Sequence, residues 1–224
     1  MAKKTEEYDP SLTGIVLTAV FCVFIGLSLA AINTSLLPIK IVKALPALED
    51  REKKMVYYIP GNENGGNTWK VKANAYLQQD PGTLNLNEAE LNAWSRNAFK
   101  SDTRNKDDGE GFGFKAKIAP PNFRIYDDKL QISVKMDISI MGMSGNVICN
   151  STGLFYNLRG NYFYHANSVF IGSCPIPSIA NLPNSIVKYF GKKFLESEVS
   201  DELRGPWSQL NDVRVVKDRL KLVR

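Results

Sequence analysis

The side chains that most often carry enzyme chemistry are few in this chain and far apart. Its 224 residues include one histidine, His165, and three cysteines, Cys22, Cys149 and Cys174. A catalytic triad would have to use His165, which lies in an aromatic-rich segment where a lone histidine is more often structural. A zinc site needs a cluster of cysteine and histidine ligands at short spacings, and the sequence has none. We therefore predict no catalytic residues, no metal site and no cofactor.

Two pairs of carboxylates have structural explanations. Glu88 and Glu90 follow Asn87, and an asparagine with a glutamate three residues later is typical of a capping box at a helix start. Asp127 and Asp128 lie between two apolar segments, where such residues favour a tight turn. Glycine-based phosphate-binding and nucleophile motifs are also missing from the sequence. These residues predict a protein that is not an enzyme, with an unrecognised hydrolase as an alternative.

An apolar segment near the N-terminus indicates where the protein works. The run Ile15–Ile32 contains no charged residue. At ~1.5 Å per residue in a helix, a run of this length spans most of the hydrocarbon core of a bilayer. We predict a cytoplasmic leader and transmembrane helix over residues 1–34. A cleaved signal peptide is one alternative, because Ser28 and Ala30 form a small-x-small pattern, and a buried helix of a soluble protein is another.

Basic residues flank the apolar run on both sides, so they do not settle its orientation. Lys3 and Lys4 precede the run, whereas Lys40 and Lys43 follow it closely. Long domains often cross a membrane regardless of flanking charge, so we expect the large domain on the extracytoplasmic side. The net charge is +5, and basic residues are interleaved with acidic ones. This pattern predicts weak attraction to an anionic membrane surface and no nucleic-acid partner.

The rest of the chain has the composition of one ordinary globular domain. Charged residues make up 23% of the sequence. We predict a linker over residues 35–65 and a single α+β domain over residues 66–224. We expect Cys149 and Cys174 to be two separate half-buried thiols, and a disulfide between them in an exported domain is the alternative.

Alternation of apolar and polar residues gives the clearest structural signal. The apolar members of one alternating run are Leu130, Ile132, Val134, Met136, Ile138 and Ile140. Strict alternation predicts a strand in an antiparallel sheet with one apolar face and one wet face. Turn residues on both sides extend this strand into a meander, and a small hairpin ends the chain. Helical spacing predicts helices near residues 68–79, 87–99 and 184–197, and the polar stretch 100–113 predicts a loop.

The order of these elements resembles that of membrane-anchored envelope proteins with a tubular lipid-binding domain, the TULIP-like or BPI-like proteins. The resemblance covers about residues 66–224 and includes the segment TLNLNEAELNAW, the sheet exit from Ile171 to Pro177 and the final hairpin. It implies a single transmembrane helix followed by a strongly curved antiparallel sheet packed on amphipathic helices. In such proteins an apolar groove between sheet and helix can hold lipid acyl chains.

These observations lead to a functional expectation. We expect a non-enzymatic envelope protein that binds a lipid or another apolar ligand near the membrane surface, and a closed core without a groove is the alternative. The expected lining residues are Trp94, Met136, Ile138, Phe190 and Phe194. A rival function is a protein–protein interaction or scaffold module, which would dock another envelope protein through a strand edge and residues 100–113.

Overall fold

The computed structural model describes residues 11–79, 81–99, 114–140, 143–178, 181, 183–185, 187–188 and 209–224. These residues form an α+β fold. The helices are α1 (Leu12–Ser35), α2 (Thr68–Gln78) and α3 (Glu88–Ala98). The strands are β1 (Ile39–Ile41), β2 (Val56–Tyr58), β3 (Thr83–Asn87), β4 (Phe114–Ile118), β5 (Asn122–Tyr126), β6 (Lys129–Ile140), β7 (Met143–Leu158), β8 (Asn161–Ile171), β9 (Cys174–Pro175), β10 (Asp212–Val216) and β11 (Arg219–Val223).

Helix α1 contains the predicted apolar run and begins at a regular cap. The Ser11 hydroxyl accepts a hydrogen bond from the Gly14 amide at 3.2 Å. The helix is long and apolar enough to cross a membrane, and none of its residues is buried. A core helix of a soluble protein would instead bury one face. The C-terminal end of α1 contacts the domain, because the Ser173 hydroxyl donates a hydrogen bond to the Thr34 carbonyl at 2.7 Å.

The largest sheet has the order β4-β6-β7-β8-β9, and β5 also pairs with β6. Except for a short parallel pair formed by β1 and β2, all described strand pairs are antiparallel. The predicted alternating strand is confirmed as β6, and its neighbours form the predicted meander. The described sheets are open and do not close into a barrel.

The prediction of one wet face on this sheet is wrong at one end. Gln131 and Ser133 belong to the polar face of β6, yet they are only 5% and 2% exposed. They bond to each other at 3.1 Å, and the Ser133 hydroxyl donates to the Asn150 side-chain oxygen at 3.4 Å. Tyr58 of β2 also contacts Ser133, so the chain around β2 covers this end. Further along β6, Lys135 and Asp137 are exposed, as predicted.

A second sheet brings the two ends of the domain together. The predicted C-terminal hairpin is confirmed as β10 and β11, and β11 pairs with β3 to give the order β10-β11-β3. The buried side chains of this sheet meet those of α2, α3 and β6 in one core. Its buried members are Tyr76, Leu84, Leu86, Leu91, Leu130, Leu210, Val213 and Leu220. Burial of these residues, widely separated in sequence, holds α2 and α3 against the larger sheet.

The predicted capping box at the start of α3 is confirmed. The Asn87 side chain accepts from the Glu90 amide at 2.9 Å, and the Glu90 carboxylate accepts from the Asn87 amide at 3.0 Å. Lys72 of α2 adds an ion pair to Glu90 at 2.7 Å. Burial alone would raise the pKa of Glu90, but hydrogen bonds from Lys72 and Asn87 outweigh it and leave the pKa below its ordinary value of 4.5.

This lowered pKa makes the stability of the protein depend on pH. The pKa of Glu90 is below 4.5 in the folded protein. The contribution of its carboxylate to the free energy of unfolding is therefore complete above pH 4.5 and is lost as the pH falls through the pKa of the folded state. We expect Glu90→Gln to lower the free energy of unfolding by about 1 kcal/mol at pH 7 and to change it little at low pH. Urea unfolding at several pH values measures this difference. The exposed control Glu49→Gln should behave as wild type, and an unchanged gap at low pH would contradict the assignment.

Cys149 and Cys174 are separate free thiols in this structure. Both residues are aligned with Ile171, which lies between them on β8, so two strand spacings separate their backbones. Two spacings are about 9–10 Å, whereas a disulfide requires Cα atoms within about 7 Å. Burial raises the pKa of the Cys149 thiol to about 11, which makes it a poor nucleophile.

The helix predicted over residues 184–197 is described only at its start. Residues 183–185 and 187–188 are helical, and the remaining positions lie outside the described residues, as does the predicted loop at 100–113. Val187 packs against the buried cluster of Cys149, Ala166 and Val169. The Asn184 side-chain oxygen accepts from the Ala166 amide at 2.8 Å, so this segment lies on the apolar face of the sheet.

Candidate ligand-binding site

Two of the predicted lining residues, Trp94 and Met136, lie in separate packing clusters. Trp94 is half-buried on α3, with its ring 6.0 Å from that of Phe99 and 6.2 Å from that of Phe123. Met136 of β6 instead packs against the separate cluster that contains Cys149 and Val169. Both side chains contribute to packing on the apolar side of the larger sheet.

The other three predicted lining residues are Ile138, Phe190 and Phe194. Ile138 lies on β6 and is aligned with Ala116 of β4 and Gly145 of β7. Phe190 and Phe194 lie outside the described residues. A groove lined by these five residues therefore stays a prediction.

A cleft of about 400 Å³ lies on the opposite, polar side of the same sheet. Its walls are the chain from Leu45 to Tyr58 and the ends of β7 and β8 nearest α1. The lining residues are Leu45, Arg51, Glu52, Met55, Val56, Tyr57, Tyr58, Ile148, Asn150, Phe170, Gly172 and Ser173. Ligand pockets in proteins typically measure about 300–1,000 Å³, combine apolar walls with a few polar groups, and bury most of their ligand.

Hydrogen bonds at both ends of β2 hold one wall of the cleft in place. The Glu52 amide donates to the Tyr57 hydroxyl at 3.0 Å. The Tyr58 hydroxyl donates to the Asn122 side-chain oxygen at 3.2 Å, and the Gly61 amide donates to the same oxygen at 2.7 Å. Burial raises the pKa of Tyr58, so this phenol is neutral at physiological pH and acts as a donor.

Two charged side chains line the cleft. The Nε atom of Arg51 donates to the Pro46 carbonyl at 2.9 Å, which orients the guanidinium group. Glu52 lies 3.7 Å from the ammonium group of Lys40, so its negative charge is partly neutralised. Apolar rings and one oriented cation are groups that would complement an amphipathic molecule.

The cleft lies directly beside the end of α1. Gly172 and Ser173, which line the cleft, form the turn between β8 and β9 that contacts Thr34 and Ser35. Gly172 has a φ of +59°, and a side-chain carbon added there would lie only 2.1 Å from the Ser35 carbonyl oxygen. Only glycine therefore fits this turn and permits so close an approach of the helix end.

Sequence reasoning missed this cleft because its outer wall lies within the predicted linker. Residues 49–54 are highly charged, which is typical of a solvated connection. The available signal was the short apolar and aromatic segment from Met55 to Ile59, which has strand composition. The wall contains the strands β1 and β2, which have three residues each. An alternation of apolar and polar residues cannot be recognised over so short a segment.

A polar cluster elsewhere has a structural role. Glu88, Asn92 and Ser95 lie on one face of α3 and bond to the outer backbone edge of β5 and the residue before it. Ser95 donates to the Pro121 carbonyl at 2.6 Å, and the Glu88 carboxylate accepts from the Ile125 amide at 2.8 Å. These bonds satisfy an otherwise unpaired strand edge, which explains the polar residues without catalysis.

The single histidine has a surface position. His165 is exposed on β8 and its ring packs edge-on against Tyr156 at 5.4 Å. Among the described residues, no group of three histidine, cysteine or acidic side chains is arranged to hold a metal ion.

Comparisons with protein-family models, curated proteins and solved structures find no match.

Proposed function

We propose that this chain is a membrane-anchored envelope protein that binds a lipid or another apolar ligand in the cleft between β2 and the β7–β8 strands, without catalysing a reaction. The single observation that carries the proposal is the position of an aromatic-lined cleft beside the end of a helix long enough to cross a membrane. We also propose the extracytoplasmic side for the domain and a curved sheet of the TULIP-like kind, with this cleft on the polar side of the sheet and not in the apolar groove that the resemblance implies.

The lining residues support an apolar ligand. Phe170 and Tyr57 offer aromatic surface, and burying such surface against a ligand is favourable by about 25 cal/mol per Å². Phe170 is 38% exposed, so it has surface left to bury.

Phe170→Ala tests the proposal against a matched control. Phe163 lies on the same strand and the same face as Phe170, is 53% exposed, and does not line the cleft. The full-length protein in nanodiscs is titrated with the methyl ester of dansylaminoundecanoic acid, with empty nanodiscs as background. We expect Phe170→Ala to weaken binding about 5–20-fold and Phe163→Ala to change it less than about twofold. Absence of saturable binding to the wild type, or equal losses in both variants, would refute the proposal.

A second candidate function, docking of another envelope protein, is favoured by a different surface. Tyr156, Leu158 and Phe163 form an apolar patch near the free end of the β7–β8 hairpin and are 51%, 63% and 53% exposed. Such patches often mark protein interfaces. A photo-crosslinking residue at position 158 in host membranes should give one discrete protein adduct under this function and none under the first.

A further inference from the structure

We propose that the ligand of the cleft is a single-chain amphiphile with an anionic head group bound by Arg51. This inference rests on the proposed function, because it names the chemical class of the ligand at the same site. It also assigns a specific role to a side chain from a segment that looks like a plain linker.

The Arg51 side chain is oriented by one hydrogen bond, and its terminal amino groups remain available as donors. Its Nε atom is bonded to the Pro46 carbonyl at 2.9 Å, and its terminal amino groups bond to no other group in the described part of the chain. A planar guanidinium presents paired donors that match the oxygens of a carboxylate or phosphate. Because this bond already orders the Arg51 side chain, the side chain would lose less conformational entropy when a ligand binds.

The charge balance around the cleft favours an anion over a cation. Arg51 and Glu52 are the two charged residues that line it. The Glu52 carboxylate is already 3.7 Å from the Lys40 ammonium group, outside the lining, whereas Arg51 has no carboxylate within ion-pair distance in the described residues. The local sum over Arg51, Glu52 and Lys40 is one net positive charge, which complements a monoanionic head group.

The apolar lining and the volume restrict the rest of the ligand. Met55, Tyr57 and Phe170 give an apolar surface in the cleft that Arg51 also lines. A volume of about 400 Å³ is near the lower end of the range for ligand pockets, about 300–1,000 Å³. One chain therefore fits this space better than two, and the adjacent end of α1 places the cleft where such an amphiphile would leave a bilayer.

Arg51→Gln, with Lys53→Gln as control, separates a specific head-group contact from general attraction. Lys53 is exposed, carries the same charge two residues away, and does not line the cleft. The full-length wild type in nanodiscs is titrated with dansylaminoundecanoic acid and with its methyl ester, which differ in head-group charge. We expect the acid to bind about tenfold more tightly than the ester, and Arg51→Gln to remove that difference. Arg51→Lys should restore part of it, and Lys53→Gln should leave it unchanged.

The outcomes distinguish this inference from the proposed function. Equal binding of acid and ester to the wild type, or equal losses in Arg51→Gln and Lys53→Gln, would overturn the inference while the cleft remained a ligand site. Failure of both probes to bind would refute the proposed function itself. Inorganic phosphate added alone should not displace the acid, and displacement at millimolar levels would indicate a site for a free anion instead of an amphiphile.

Discussion

Asn92→Ala lowers the free energy of unfolding by about 3 kcal/mol, because it leaves buried backbone groups without partners. The Asn92 side chain accepts from the Phe123 amide at 2.6 Å and donates to the carbonyl groups of Phe123 and Asn62 at 2.8 and 2.9 Å. The residue is 2% exposed, so water cannot easily replace these bonds. Urea unfolding of the full chain in mild detergent, followed by tryptophan fluorescence, measures the change.

These hydrogen bonds form because the spacing of side chains along α3 matches the spacing of backbone groups along β5. Side chains at Glu88, Asn92 and Ser95 are three or four residues apart on α3, a rise of about 4.5–6 Å. Alternate residues of an extended strand are about 6.7 Å apart, so successive side chains can reach successive outward backbone groups. Helix α3 thereby replaces a missing neighbour strand for β5.

Asn97→Ala is the matched control, because Asn97 lies on the same helix and is exposed. It should change stability by less than about 0.5 kcal/mol. If the two variants were equally stable, the hydrogen bonds at Asn92 would not hold the strand edge.

Gly153→Ala destabilises the protein by about 3 kcal/mol or more, because backbone fills the space that its side chain would need. Strands β7 and β8 shift register between Thr152 and Gly153, which leaves an extra residue, Asn167, on β8. At this bulge a side-chain carbon on Gly153 would lie 2.0 Å from the His165 carbonyl oxygen and 3.0 Å from the Ala166 Cα atom. The strands would have to separate locally to accept it.

Gly66→Ala controls for the general effect of replacing glycine, since no atom lies within 4 Å of the added carbon there. It should be neutral or slightly stabilising, because alanine restricts the unfolded chain. Thermal unfolding monitored by circular dichroism compares the two variants. A melting temperature for Gly153→Ala equal to that of the control would show that the bulge is easily rearranged.

Patterns local in sequence predicted much of the fold. The charge-free run predicted α1, Asn87 with Glu90 predicted the start of α3, and the alternation from Leu130 predicted β6. Each signal repeats or caps a backbone geometry within a few residues, so it is visible without tertiary information.

The rest depends on contacts between distant segments. Burial of Gln131 and Ser133 requires the chain near Tyr58 to cover them, and no periodicity in β6 reveals that cover. Pairing of β3 with β11 joins the early part of the domain to its end. The cleft was missed for the same reason. Arg51 lines a cleft only because its segment packs against β7 and β8, which are distant in sequence.

The turn at Gly172 and Ser173 has a further consequence, since it both contacts the end of α1 and lines the cleft. With α1 in a bilayer, the cleft would travel with the helix and stay at the membrane surface. A ligand dissolved in that membrane would reach it by lateral diffusion in two dimensions and would not need to cross bulk water. Occupancy would then follow the mole fraction of the ligand in the membrane, and even a weak intrinsic affinity would suffice to fill the cleft.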